Sequence, residues 1–451
     1  MGSDDDSKKE RGESSRKAGA REASHANRSF TLAVFGGALL GALLLLLDHP
    51  PGLDALMGLL KTLFLGALKL IIAPLIFFSL LAGLAQLGEA YRLRTLGAAT
   101  ALYYVLTTTI AVAIGLFVVS FVHPWESAPP LIDRASLPSA ALIPETDGSI
   151  FGVLRGLLET MLTNPFTALA ELNVLAIVAN ALLIGIAMVL VLPRDSAWPE
   201  LVAQAASVTQ RIATWAVLLM PLGVMAVTYE LLGSADWHLL GQLLSFCGVV
   251  LLATAVHGLI VLPLISWFGA GVGPIELARG IARPFLVALT TSSSVATLPV
   301  SHAAVSDAFR VRESVRSFVL PLGATMNMDG TALFEGIAAV FLAHLFGVEL
   351  GAAGTIIVFL VAMISSIGAP GIPSGSMAGM QVVLLAAGIP LEAIGILLLV
   401  ERPLDTFRTA VNVQGDIVGT LVVQRTLRRR GQEEGAAARP AAGSPAQRQT
   451  Q

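Results

Sequence analysis

Phe30 to Leu47 and Val174 to Leu192 are runs of nearly unbroken apolar side chains, about twenty residues each, which is the length an α-helix needs to cross the hydrocarbon core of a bilayer. Further apolar segments fall at 54–88, 95–123, 201–232 and 239–268. A chain that is 55% hydrophobic and 13% charged cannot cover itself with polar surface, because a soluble globular chain carries about twice that charged fraction. The expected fold is all-helical and embedded in a bilayer. A net charge of -3 spread over the connections gives no basic patch for nucleic acid. Cys247 is the one cysteine, sits in an apolar stretch and is expected to be inert packing.

The first 29 residues hold seven Lys or Arg and six Asp or Glu with almost no large apolar residue, so they are expected to be disordered. The run that follows is longer than a secretory core and lacks a small-residue cleavage site, which makes it the first span rather than a cleaved signal. The tail from Gly431 to Gln451 also reads as disordered. Arg92 and Arg94, Arg194, Arg279 and Arg283, Arg310, Arg312 and Arg316, and Arg425 with Arg428 to Arg430 all fall on one side of the membrane if the N-terminus is cytoplasmic. The connection from Pro124 to Asn173 has only Arg134 and Arg155 against several acids, and that near Asp236 has neither Lys nor Arg. Those two are expected outside.

To keep this asymmetry, the segments 275–308 and 352–388 must each enter and leave on the same side. Each has a polar, helix-breaking centre: Thr290-Thr291-Ser292-Ser293-Ser294 before Leu298-Pro299 in one, and Gly368 to Ser376 in the other. Irregular backbone is not tolerated against lipid, so such tips are buried in protein or line a wet cavity. Two ordinary spans ended by Gly and Pro are the alternative, and they would break the charge asymmetry. Each hairpin precedes a span bearing Asn and Asp at its middle: 313–347 with Asn327 and Asp329, and 390–423 with Asn412 and Asp416. Two such units of opposite entry form an inverted repeat, and transporters built on inverted repeats bind cargo near the midplane among broken helices.

Asp329, Asp405, Arg408 and Asp416 lie within these spans, where each charge costs about 2.5–3.5 kcal/mol at the least. Three carboxylates against one guanidinium leave an excess that attracts cations. In Asn327-Met328-Asp329-Gly330-Thr331 the helix is expected to unwind and turn carbonyl oxygens inward, as oxygen ligands for a hard cation such as sodium. A simple kink is the alternative. Asp405, Arg408, Thr409, Asn412 and Asp416 recur at spacings of three and four, along one helix face. Asp405 can take an ammonium and Arg408 can fork onto a carboxylate, unless the two only pair with each other. The hairpin tips offer backbone amides to a second carboxylate.

The stretches PLGATMNMDGTAL (Pro321 to Leu333), DTFRTAVNVQGDIVGT (Asp405 to Thr420) and NPFTALAELNVLAI (Asn164 to Ile177) resemble the signature of the glutamate transporter family. That family includes archaeal aspartate transporters, animal excitatory amino acid transporters and bacterial dicarboxylate/amino acid:cation symporters. The resemblance covers nearly the whole membrane portion and neither tail. It implies eight spanning helices and two re-entrant hairpins, with homotrimeric assembly in the cell (inner) membrane. It also implies an elevator in which a transport domain slides against a scaffold. Residues 30–94 and 173–236 would form the scaffold, 95–123 and 237–423 the transport domain, and 124–172 an extracellular connection, with both termini cytoplasmic.

By the same resemblance the substrate contacts are Ser293, Ser294, Thr331, Gly371, Ile372, Asp405, Arg408, Thr409 and Asn412. Asp416 with carbonyls of Gly323, Asn327 and Asn412 is similar to one sodium site of the family. Asp329 with Tyr104, Thr107, Thr108 and Asn327 is similar to a second, and Thr325 with backbone near Ser366, Ile367 and Ala369 to a third. Threonines in a spanning helix also bond to their own backbone, which is the alternative for Thr107 and Thr108. Three departures stand out. Ala369 replaces a threonine of the archaeal members, Val295 replaces a serine of the first tip, and Pro370 stiffens the second. Glu335 occupies a position linked to proton coupling in the animal members and is either a proton carrier or a structural acid.

The implied function is cation-driven symport of aspartate or glutamate, with sodium as coupled ion and no resident cofactor. The alternative is a proton-coupled carrier of C4-dicarboxylates, for which Asp405 is a liability. An enzyme is disfavoured because no nucleophile and base pair and no His-rich motif is present. A channel is disfavoured because the charges converge on one point rather than line a path. His257, His302 and His344 read as isolated.

Overall fold

In the computed structural model the chain is helical throughout the described residues, which are 29–45, 51–92, 95–125, 161–193, 195–233, 237–368 and 374–437 with Pro130, Arg155, Leu158, Glu159 and Gly371. The helices are α1 (Ser29–Leu44), α2 (Pro51–Arg92), α3 (Thr95–Phe121), α4 (Pro165–Ala170), α5 (Val174–Val191), α6 (Trp198–Leu218) and α7 (Met220–Gly233). Next come α8 (Trp237–Val256), prolonged through wider turns to Ala270, then α9 (Pro274–Thr291), α10 (Ser294–Asp307), α11 (Glu313–Met326) and α12 (Asp329–Leu345). The last are α13 (Gly351–Gly368), α14 (Ser376–Ala386) and α15 (Ile394–Ala437). Gly52–Ala85, Thr95–Phe121, His238–Ala270 and Glu313–Leu345 are long and apolar enough to span a bilayer. Large apolar side chains such as Leu39, Leu43, Leu183, Leu190 and Val191 face outward on α1 and α5, as lipid contact allows.

Two sequence boundaries shift. The segment 201–232 is not one straight helix, since α6 and α7 bend by 43° at Leu219. Pro221 at the second position of α7 lacks the N–H that a continuous helix would use there. The last helix does not stop at 423 or give way at Gly431; α15 is 44 residues long and runs to Ala437, as a segment rich in Arg, Gln and Glu favours.

Two of the breaks expected within the second half are present, while residues 369–370 and 372–373 of the second tip lie outside the described residues. α9 ends where Ser292 takes a left-handed conformation (φ 47°), and α10 restarts from Ser293, whose hydroxyl accepts the Ala296 N–H at 3.2 Å as an N-cap. α9 packs on α10, and α13 on α14, as two helical hairpins. α11 stops at Met326, and non-helical Asn327 and Met328 separate it from α12. α2 packs against α5, α6 and α7, while α3 and α15 pack against α12. Phe246 stacks on Phe341 with centroids 4.7 Å apart in the core between α8 and α12. Arg402 of α15 reaches α1, where Nη2 donates to the Thr31 hydroxyl at 2.6 Å and the guanidinium lies over the Phe30 ring.

Candidate functional site

The unwound segment is buried, with Asn327 and Asp329 fully enclosed. Its polar groups therefore need partners from neighbouring helices. Thr107 on α3 donates to Asn327 Oδ1 at 3.1 Å, and Thr108 donates to Asp329 Oδ1 at 2.9 Å. Asn327 Nδ2 donates to Asp416 Oδ1 at 3.2 Å. The Gly330 N–H, exposed by the break, donates to Asn412 Oδ1 at 2.7 Å, and Asn412 Nδ2 donates to Thr331 at 3.3 Å. Gly323 is the close approach, because a Cβ there would collide with Asp416 Oδ1 and the Tyr104 hydroxyl. Tyr104 itself donates to the Val319 carbonyl at 2.6 Å. The Thr107 hydroxyl also lies 3.1 Å from the Tyr103 carbonyl of its own helix, the back-bonding partner named as the alternative.

Of the residues expected at two cation sites, Thr107, Thr108 and Asn327 are thus hydrogen-bonded around Asp329 and Asp416, and Gly323 and Tyr104 lie beside Asp416. The third is less complete. The hydroxyl of Thr325 turns back to Leu322 and that of Ser366 to Met363, each within its own helix. The Ile367 side chain and the whole of Ala369 lie outside the described residues, as does Ile372 of the expected substrate contacts.

The hairpin tips meet over the middle of α15. Ser293 donates to the Gly371 carbonyl at 2.8 Å, joining one tip to the other. Ser294, Thr331, Gly371, Asp405, Thr409 and Asn412 from the sequence expectation surround one cavity together with Ser292, Met328 and Ser376. Its volume is about 10 Å³, space for a single water at most. Arg408, on the same helix, is buried, with its guanidinium carbon 3.9 Å from the centre of the Phe334 ring, a cation–π arrangement. Its Nη2 donates to Glu401 at 2.6 Å and to Asp405 Oδ1 at 3.3 Å, while Nε and Nη1 are buried without a hydrogen-bond partner.

Sequence reasoning missed Glu401 and Arg402. Glu401 is fully buried and accepts Ser374 and Ser376 hydroxyls at 2.8 and 3.0 Å. Arg402 Nη1 lies 3.3 Å from Asp405 Oδ2, which also accepts the Ser374 N–H at 2.9 Å. Asp405 therefore sits between two guanidinium groups rather than one. The expected balance of three carboxylates to one guanidinium becomes five carboxyl groups (Asp329, Glu335, Glu401, Asp405, Asp416) to two buried arginines, and the acidic excess persists. The signal for both was in the sequence: Glu401 is four and Arg402 three residues before Asp405. His257 also proves not to be isolated, since its Nε2 is 3.2 Å from Asp329 Oδ2.

Glu335 lies one turn beyond Thr331 on α12, fully buried. Its Oε2 accepts the Ser365 hydroxyl from α13, and Oε1 has no hydrogen-bond partner. Gly379 of α14 packs directly on it. No group of three His, Cys, Asp or Glu with metal-site geometry occurs among the described residues. A coupled ion would instead be held by hydroxyl, amide and carbonyl oxygens around Asp329 and Asp416.

The profile of the sodium:dicarboxylate symporter family matches residues 29–426. Excitatory amino acid transporter 3 of Homo sapiens is 30% identical over 403 residues, covering 79% of this chain and 77% of that protein. A putative sodium-dependent excitatory amino acid transporter of Caenorhabditis elegans is 31% identical over 408 residues, covering 80% and 81%. Excitatory amino acid transporter 5 of Homo sapiens is 31% identical over 459 residues, covering 88% and 81%. The chain is thus a multi-pass membrane transporter coupled to sodium, not an enzyme, and it belongs to the sodium:dicarboxylate symporter family.

Proposed function

We propose that this protein is a sodium-driven symporter of acidic amino acids, aspartate or glutamate, acting as an eight-span carrier with two re-entrant hairpins. The observation that carries the reading is Arg408, whose Nε and Nη1 are buried donors without hydrogen-bond partners, on the same helix as Asp405, Thr409 and Asn412, which line the cavity between the hairpin tips. Arg408 receives the side-chain carboxylate, Asp405 the ammonium group, and Ser293, Ser294, Thr331, Thr409 and Asn412 complete the shell with Gly371 and Ile372. The clusters around Asp416 and Asp329 hold sodium, and Thr325 with the α13 backbone supplies a third site. α3 and α8–α15 move as the transport unit against α1, α2 and α5–α7. The protein works as a homotrimer in the cytoplasmic membrane with both termini inside, as the arginine distribution supports.

One observation favours the second reading, a proton-coupled C4-dicarboxylate carrier. Asp405 is already flanked by Arg402 and Arg408, which lessens its need for a substrate ammonium, and Glu335 is an enclosed acid with one unpartnered oxygen. Uptake of radiolabelled L-aspartate into proteoliposomes separates the two, with an inward sodium gradient, an inward proton gradient, or neither. Sodium-driven uptake abolished by Arg408→Ala and Asp405→Ala supports the first. Proton-driven succinate uptake without aspartate uptake overturns it.

A further inference from the structure

A second polar cavity, of about 360 Å³, opens at the other end of α9 from the Ser292 tip, about 24 Å away along that helix. Its volume is in the range that holds small molecules. Four places in the fold wall it: the end of α8 with Val272, the start of α9 with Glu276, the α10–α11 connection with Arg310, and α15 with Gln424, Arg425 and Arg428. Three arginines face one acid, so the lining is net positive. None of these residues enters the sodium or the substrate assignment.

The donors in this lining are largely unspent. Gln424 is only 5% exposed, and its Oε1 accepts the Arg312 N–H at 2.7 Å. That backbone donor fixes which end of the amide is oxygen, so the two N–H groups of Nε2 are left without a protein acceptor among the described residues. Arg425 Nη1 has only a long bond, 3.4 Å, to the Phe268 carbonyl. Its guanidinium lies over Gly271, whose φ of 76° and lack of a Cβ allow the approach. Arg310 takes the left-handed position (φ 51°) that closes α10, where glycine is usual. Neither Arg310 nor Arg428 has an ion-pair partner among the described residues. Donors from three elements thus converge on a space that their own chain leaves without an anion.

The rim decides which anion fits. Trp267 and Phe268 are exposed and stack with centroids 5.2 Å apart, and Ile275, next to Glu276, is exposed as well. Phe268 is the residue whose carbonyl holds Arg425, so the apolar ledge adjoins the basic cavity. Aromatic side chains beside arginines collect at the level of lipid headgroups, and basic pockets between spans bind those headgroups. We propose that the cavity is a binding site for the phosphate diester of an anionic phospholipid. The phosphate sits on Arg310, Arg425 and Arg428, Gln424 donates to the headgroup, and the acyl chains run along α8 past Phe268. A free phosphate shares the headgroup chemistry and has no use for the apolar ledge. The orientation proposed above makes this the cytoplasmic leaflet; the site itself depends neither on that orientation nor on the cargo.

The test is displacement of phosphatidylglycerol, fluorescently labelled on an acyl chain, from the full-length protein in dodecyl maltoside micelles at about 0.15 M salt. The competitors are unlabelled phosphatidylglycerol, phosphatidylcholine and inorganic phosphate. Phosphatidylglycerol is expected to displace the label at a concentration at least about tenfold below phosphatidylcholine, and inorganic phosphate not to displace it. An arginine beside a lipid headgroup is worth about fivefold in affinity. Arg428→Gln, exposed on α15, should therefore weaken binding about fivefold, and Arg425→Gln with Arg428→Gln roughly twentyfold. Glu276→Gln, which removes the one acid of the lining, should tighten it. Arg283→Gln lies about 10 Å further along α9 than Glu276 and outside the cavity, and should change affinity by less than about twofold. Equal displacement by phosphatidylcholine, or unchanged affinity in both arginine variants, overturns the proposal. Displacement by inorganic phosphate as effective as that by phosphatidylglycerol gives the cavity to a free anion and overturns the lipid assignment.

Discussion

His257 Nε2 and Asp329 Oδ2 lie 3.2 Å apart, and neither side chain has any exposed surface. Thr108 holds the other carboxylate oxygen at 2.9 Å, so two helices fix the rotamer of Asp329 and aim it into the Asn327 break. His257→Ala leaves Oδ2 unpaired, at a cost of about 1–3 kcal/mol. The expected outcome is a rise of about tenfold or more in the sodium concentration that half-activates uptake. His257→Gln, which keeps an N–H donor, should recover most of it. Sodium-activation curves at fixed substrate check both.

Arg408→Lys preserves the charge and removes the fork. Because a bidentate site does not accept an ammonium as an equivalent, half-saturating substrate should rise at least tenfold while the protein remains folded. Arg408→Ala leaves Glu401 a buried acid without its cation, while Asp405 keeps Arg402, a loss of about 3–5 kcal/mol, and should lower the melting temperature as well. Uptake kinetics beside a thermal melt in detergent distinguish these outcomes.

Gly323→Ala places a methyl group against Asp416 Oδ1 and the Tyr104 hydroxyl. Overpacking of this kind costs about 1–3 kcal/mol. It should weaken sodium dependence before it weakens folding if the displaced Asp416 carboxylate belongs to the proposed cation site. Uptake measured against sodium concentration, with the melting temperature as control, tests this; an unchanged sodium curve counts against the Asp416 cluster as a cation site.

Glu335 shares one carboxylate oxygen with Ser365 and leaves the other without a partner. If it carries a proton across, an inward proton gradient accelerates uptake by the unsubstituted protein and has no effect on Glu335→Gln, which keeps the size and loses the titration. Equal response of both forms to the gradient makes Glu335 a structural acid. Initial rates with and without the gradient, at constant sodium, decide it.

Much of this arrangement could be read along the chain. Asn, Asp and Gly in close succession announced the break at 327–330, and the three and four spacing from Asp405 to Asp416 placed one polar stripe on α15. Glu401 and Arg402 lie within the span read as 390–423, on the stripe that continues to Asp405, but their partners at Ser374, Ser376 and Thr31 are distant in sequence. The structure buries both, Glu401 against the Ser374 and Ser376 hydroxyls and Arg402 against Thr31 and Asp405. His257 escaped because its partner is 72 residues away, and local spacing carries no information about such a meeting. The bend at Leu219 was hidden for the opposite reason: apolar periodicity runs through it unbroken, and only the missing N–H of Pro221 marks it.

Arg402 extends from α15 to Thr31, so residue 31 and residue 402 touch across nearly the whole length of the chain. The opening helix is thereby registered against the closing one at a point one residue from Glu401 and one turn from Asp405. Any travel of α15 along its axis by a helical turn, about 5.4 Å, takes Arg402 out of reach of Thr31. A pair of spectroscopic labels on α1 and α15 would then read the carrier's position directly, as an odometer placed outside the binding site.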